Sequence, residues 1–156
     1  PDIISFGKKT QVCGILSTDR VDEVEENVFR KASRINSTWG GNMVDMKRFT
    51  KILEIIESEN LVENCDVHGR YLQEKINALA EKYPEKLSNG RGLGLFCAFD
   101  CKDAEMRNKV TSEAMKNGLL ILGSGNRSVR FRPPINISKS EIDEGMGILD
   151  KVISAI

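Results

Sequence analysis

The chain has 156 residues, of which 40% are hydrophobic, enough for one ordinary domain with its own core. Its 23 basic and 23 acidic residues cancel, so nothing in the charge balance points to nucleic acid or to an anionic membrane. No apolar run approaches the roughly 20 residues of a membrane span.

Taken in chain order, residues 1–6 read as a short strand, followed by a lysine-bearing turn over 7–14. Val21–Val24 suggests a short helical piece, and an irregular Asn-Ser-Thr loop follows at 36–38. From Gly41, the three- and four-residue spacing of Met43, Met46, Phe49, Ile52, Leu53 and Ile56 predicts a helix. A second helix is expected over Leu61–Tyr83, stopped by Pro84, with a turn at Ser88-Asn89-Gly90. Leu93–Phe99 reads as a buried strand and Asp103–Asn117 as a helix capped by Gly118. Two strand signals, Leu119–Leu122 and Ser128–Phe131, precede a last helix opened by the capping box of Ser138 and Glu141. The pattern is α+β, without internal repeats. The natural break lies inside the helix beginning at Gly41, because the first segment has too few elements to bury a core alone. Starting at Pro1 without Met, that segment is expected to be the tail of a larger domain.

Three stretches carry candidate chemistry. Gly7-Lys8-Lys9-Thr10-Gln11-Val12-Cys13-Gly14 places a lysine just past a strand end, with Gly before it. A lysine amine condenses with carbonyls once its pKa is lowered, so this turn suits Schiff-base chemistry as well as two solvated lysines. Ser37-Thr38-Trp39-Gly40-Gly41-Asn42 offers a hydroxyl and backbone N–H groups to a phosphate, or is a plain turn into a helix. In Val129-Arg130-Phe131-Arg132-Pro133-Pro134, strand alternation puts Arg130 and Arg132 on one face, with Val129 and Phe131 on the other. From the residues alone Arg130 reads as a surface ion-pair arginine before a bidentate carboxylate receptor, and both readings stay open.

Other features carry less. Cys13, Cys65, Cys97 and Cys101 lack the spacing of a metal framework, and His68 is the only histidine, so no metal site is expected. They read as free thiols in a reducing compartment, which makes the three Asn-X-Ser/Thr sequons chance matches in a cytoplasmic chain. Gly90-Arg91-Gly92-Leu93-Gly94 precedes a strand, whereas a dinucleotide loop follows one and opens a helix, so it is rejected as a nucleotide site. His68 reads as a solvated helix residue, and Trp39 as either an aromatic wall or a core anchor.

In order and spacing, the three stretches resemble the second half of a class III aminotransferase, a family that uses pyridoxal phosphate. The Phe6–Gly14 and Arg34–Asn42 strings are most similar to its lysine ε-aminotransferase branch. The resemblance implies an α/β fold, pyridoxal-phosphate transferase fold type I. Residues 1–48 would be the C-terminal segment of the large cofactor-binding domain and 49–156 the small α+β C-terminal domain. It implies Lys8 as the Schiff-base lysine, with Lys9 left open by the doubled lysine. Thr38 would contact the cofactor phosphate of the partner subunit in a homodimer, Arg130 would bind a substrate carboxylate, and Asn36 would line the same pocket as Thr38. The implied reaction moves the terminal amine of L-lysine to 2-oxoglutarate. Ornithine, acetylornithine or 4-aminobutyrate are alternative donors, and an isolated, non-catalytic small domain is the other reading. The ring-anchoring aspartate, the glycine-rich phosphate loop and the aromatic stacking residue would all lie upstream of Pro1.

Overall fold

A computed structural model describes residues 1–10, 12–35 and 37–156, and the side chain of Lys9 falls outside that description. The chain divides into two compact units, Pro1–Glu59 and Asn60–Ile156.

In the first unit, β1 (Ile3–Phe6) pairs antiparallel with β2 (Gly14–Ser17), Phe6 opposite Gly14. The turn expected over 7–14 is thus the loop of a hairpin, and β2 had no sequence signal beyond Ile15-Leu16. Gly14 is required here: a Cβ on it would lie 2.3 Å from Cζ of Phe6, whose ring covers that position. The same ring stacks on Phe49 at 5.5 Å between centroids. Phe49 belongs to α1 (Met43–Ser58), so the hairpin is anchored on that helix. Asn42 caps α1 by accepting a bond from the Val44 N–H at 2.9 Å. Asp19–Glu23 forms a 3₁₀ turn close to the expected helical piece.

None of the described apolar side chains of this unit is buried, and Ile3, Ile4, Leu16, Phe29, Trp39, Met43 and Met46 stand exposed. Among the described residues its one buried residue is Asn27, which organises the loop from inside. The Asn27 amide donates to the carbonyls of Val21 (3.1 Å) and Val24 (3.0 Å), while its oxygen accepts from the N–H of Phe29 (2.9 Å). A unit with this inventory lacks the hydrophobic burial that offsets chain entropy.

The second unit has a core. Its elements are α2 (Leu61–Lys82), β3 (Leu87–Leu93), β4 (Phe96–Cys101), α3 (Ala104–Lys116), β5 (Leu122–Ser124), β6 (Ser128–Phe131) and α4 (Lys139–Ala155). The sheet order is β3-β4-β6-β5, every pair antiparallel. The helices supply Leu72, Ile76, Leu79, Val110, Ala114, Ile142, Met146, Leu149 and Ile153 to the core. They meet Cys97, Phe99, Cys101 and Val129 from the sheet. Leu61, Leu72, Ile76 and Leu79 follow the spacing that predicted α2, and all four are buried. Two polar clasps tie α2 to α4: Lys75 and Tyr71 meet Asp143, and Lys82 (2.7 Å) and Tyr83 (2.9 Å) meet Asp150.

Three strand expectations need correction. Leu93–Phe99 is not one strand but the corner of a hairpin, because Gly94 takes φ +53° and turns the chain before Phe96. Ser88-Asn89-Gly90 is not a turn but a bulge inside β3, where the register shifts between Ser88 and Arg91. Leu119–Leu122 contributes only its last residue to β5, since Gly118 (φ +88°) and the Leu119 N–H bond to Ala114 (2.9 Å) close the end of α3. The capping box forms as expected: Ser138 Oγ accepts from the Glu141 N–H at 3.3 Å, and the Ser138 N–H donates to Glu141 at 2.8 Å.

Candidate cofactor and carboxylate sites

Lys8 opens a 3₁₀ turn, Lys8–Thr10, in the hairpin loop. Its side chain is exposed and its backbone φ is +57°. A lysine in the left-handed region costs roughly 1–2 kcal/mol, and such outliers persist where the surroundings hold them and function uses them. The loop is held from both sides. A Cβ on Gly7 would lie 2.9 Å from Cys13 Sγ, and Thr10 Oγ1 donates to the Val12 carbonyl at 2.6 Å. A side chain before the lysine would therefore have to displace the exposed Cys13 thiol.

Thr38 stands exposed on a second loop of the same unit, in a turn closed by the Gly40 N–H bonding to the Ser37 carbonyl at 3.3 Å. Gly41 follows in the left-handed region (φ +77°), directing the chain into the α1 cap. Trp39 is 78% exposed, so within this chain it is not a core anchor. Asn36 lies outside the described residues.

Arg130 belongs to the second unit. On β6, Val129 is fully buried and the Phe131 ring lies 5.8 Å from that of Phe99, while Arg130 takes the opposite face, as strand alternation requires. Arg130 is half-buried, and its Nε is shut from solvent with no hydrogen-bond partner among the described residues. An enclosed guanidinium N–H with nothing to donate to is costly unless a ligand supplies the acceptor. Arg130 borders a cavity of about 260 Å³ whose lining includes Leu72, Leu119, Phe131, Ile142 and Met146. The carboxylate of Glu141, also on its rim, is engaged by Ser138. Arg132 lies with its guanidinium 5.7 Å from the Phe96 ring centre.

Sequence reasoning passed over Asp100. Its carboxylate, 9% exposed, accepts from Ser128 Oγ (2.6 Å), Asn89 Nδ2 (2.9 Å) and Arg91 (2.9 Å). Burial opposes ionisation, yet the bonds from Asn89, Ser128 and Arg91 and the Arg91 charge outweigh it. They hold the group at about 2, below its ordinary 3.8. Its stabilising effect is present above pH 3.8 and lost as pH falls through about 2. Asp100→Asn should narrow its stability gap to the wild type by roughly 2 kcal/mol between about pH 5 and pH 2. Thermal midpoints against pH check this; parallel curves would contradict it.

The glycine-rich run 90–94 is a packing device. A Cβ on Gly69 of α2 would lie 2.3 Å from the Gly94 carbonyl carbon, and one on Gly90 would lie 2.4 Å from Asn77 Oδ1. Glycine is what lets α2 lie against β3. His68 differs from its expected solvated state: it is half-buried, with Nδ1 enclosed and unpartnered. The cysteines are unpaired, with Cys97 and Cys101 buried. Burial, reinforced by Asp100 and Asp103 against Arg107, pushes the Cys101 thiol up to about 11. Among the described residues no group of three or more His, Cys, Asp or Glu side chains is placed to hold a metal. No described helix is long and apolar enough to cross a membrane.

The class-III aminotransferase family matches residues 1–153. The chain is 47% identical over 150 residues to the L-lysine-epsilon aminotransferase of Amycolatopsis lactamdurans, covering 96% of this chain and 33% of that protein. It is 30% identical to a probable mitochondrial 4-aminobutyrate aminotransferase of Caenorhabditis elegans, over 100% of this chain and 31% of that one. In structure it superposes on the lysine aminotransferase of M. tuberculosis in its internal aldimine form with a TM-score of 0.95 and 43% identity. That match covers 99% of this chain and 36% of the other. The chain thus spans about a third of the length of the relatives it matches, and its mixed α/β fold is that of the corresponding part of a fold type I enzyme. A match running almost end to end, with relatives at this identity, places the chain in the class-III aminotransferase family.

Proposed function

We propose that the complete protein is a pyridoxal-phosphate enzyme that moves the terminal amino group of L-lysine to 2-oxoglutarate. The observation that carries this reading is Lys8: an exposed lysine in left-handed backbone on the hairpin loop of a chain 47% identical to an L-lysine-epsilon aminotransferase. Pyridoxal phosphate, when bound, supplies the electron sink for amine transfer. Lys8 would hold its aldehyde and afterwards carry the proton at Nζ. Thr38 Oγ1 and the N–H groups of its turn would bind the phosphate of the partner subunit's cofactor, making the enzyme a homodimer, and Asn36 would line that pocket. Arg130 would pair with a carboxylate of lysine or 2-oxoglutarate. Its orphaned Nε is the structural support for that role.

Residues 1–48 would complete the large cofactor-binding domain and 49–156 form the small one. Among the described residues no apolar side chain before Leu61 is buried, which supports reading the first segment as part of a larger domain. Limited proteolysis of the complete protein checks it: cleavage within 1–48 while the large domain stays intact would contradict it. A cytoplasmic location rests on the four unpaired thiols, and recovery from a secreted fraction would contradict it.

The complete protein assayed with 2-oxoglutarate should turn over lysine faster than ornithine, acetylornithine or 4-aminobutyrate. A faster rate with any of these would move the assignment within the family. The 156-residue chain alone should give no measurable transamination, because it holds too few of the cofactor's contacts.

A further inference from the structure

The face of the second unit's sheet that carries Asp100 also carries Arg91 and Arg130, with Arg127 and Arg132 at the two ends of β6. Arg91, Ala98 and Arg130 stand in one cross-strand row, and Asp100 and Ser128 pair in the next. Arg91 reaches over β4 between the small Ala98 and Asp100, bonding Asp100 at 2.9 Å and Ser128 Oγ on β6 at 3.0 Å. Arg127 lies 3.8 Å from the same carboxylate, and Arg132 is taken by the Phe96 ring. Arg130 is in no salt bridge among the described residues, and its Nε is enclosed. Of these arginines, Arg91 is the one hydrogen-bonded to Asp100, and Arg130, its neighbour in the row, has no carboxylate partner among the described residues.

We propose that Asp100, through Arg91, is a specificity-determining positioning residue: it neutralises the neighbouring cation so that Arg130 alone receives the substrate carboxylate. The inference rests on the reading of Arg130 as that receptor. A dicarboxylate such as 2-oxoglutarate can engage two nearby guanidinium groups, and only one registry presents its oxo carbon to the cofactor. Without Asp100, Arg91 is a second anchor on the same face. Without Arg91, Asp100 keeps its Asn89 and Ser128 bonds but loses its closest cation, and its charge competes for Arg130. Either single loss harms binding, and losing both restores the balance.

The test is a mutant cycle in the complete cofactor-loaded enzyme. Asp100→Asn should raise KM for 2-oxoglutarate about tenfold with little change in kcat, and chloride should become a competitive inhibitor. Arg91→Gln should also raise KM, by about fivefold, without chloride sensitivity. The Arg91→Gln/Asp100→Asn double variant should return to within about threefold of the wild-type KM. A double variant as impaired as the worse single, or single variants that lower thermal stability without moving KM, would reduce the pair to a structural clasp and overturn the proposal. If Asp100→Asn fails to fold, Arg91→Gln against the double variant decides on the same criterion. Arg130→Ala in the same series separates the two readings: an unchanged 2-oxoglutarate KM there defeats the role of Arg130 itself, whatever Asp100 does.

Discussion

Replacing Lys8 with Ala in the complete protein should lower transamination by about a thousandfold or more, while Lys9→Ala should cost little. Lys8 Nζ has two duties, holding the cofactor aldehyde and carrying a proton, and the substitution removes both at once. The hairpin anchored on Phe6 and Phe49 should stay folded in the variant, so the loss is chemical. Thr38 gives this prediction a second arm. If Thr38 serves the partner's phosphate, then in a heterodimer of Lys8→Ala and Thr38→Ala protomers one site collects both defects and the other neither. About half the wild-type activity per dimer should then return, since one of two sites is intact. Heterodimers that form without recovering activity would rule out a Thr38 acting across the interface.

Replacing Arg130 with Lys should weaken binding of the dicarboxylate by roughly 2–5 kcal/mol, with a much smaller effect from Arg132→Lys. Lysine keeps the charge but loses the planar fork, and its ammonium cannot present two parallel N–H groups to one carboxylate. The two arginines share a sheet face yet differ in surroundings: Arg130 is half-buried with an enclosed donor, whereas Arg132 is exposed beside an aromatic ring. Equal and small effects from both would make Arg130 an ordinary surface residue.

The helices of the second unit were legible because burial enforces period. Leu61, Leu72, Ile76 and Leu79 all reach the core, and the Ser138–Glu141 capping box marks the start of α4 within one residue. Strand ends were less legible, because they depend on the φ of single residues. Gly94 and Asn89 both adopt left-handed backbone, one turning a hairpin and the other kinking a strand, and nothing in Gly90–Gly94 says which. In the first unit the Met43–Ile56 pattern gave the helix, but not a buried face, since no described apolar side chain there is buried. Lys8, Thr38 and Arg130 were singled out by motif. Asp100 was not, because a buried carboxylate is recognised by Asn89, Arg91 and Ser128, which strand pairing alone brings to it.

The central claim is that Lys8 is the cofactor lysine. Borohydride reduction of the complete protein with pyridoxal phosphate, followed by proteolysis and mass mapping, tests it most directly. The phosphopyridoxyl label should fall on Lys8, in the segment between Phe6 and Gly14. Label on Lys9 would move the site by one residue, and label on any lysine outside this loop would contradict the account.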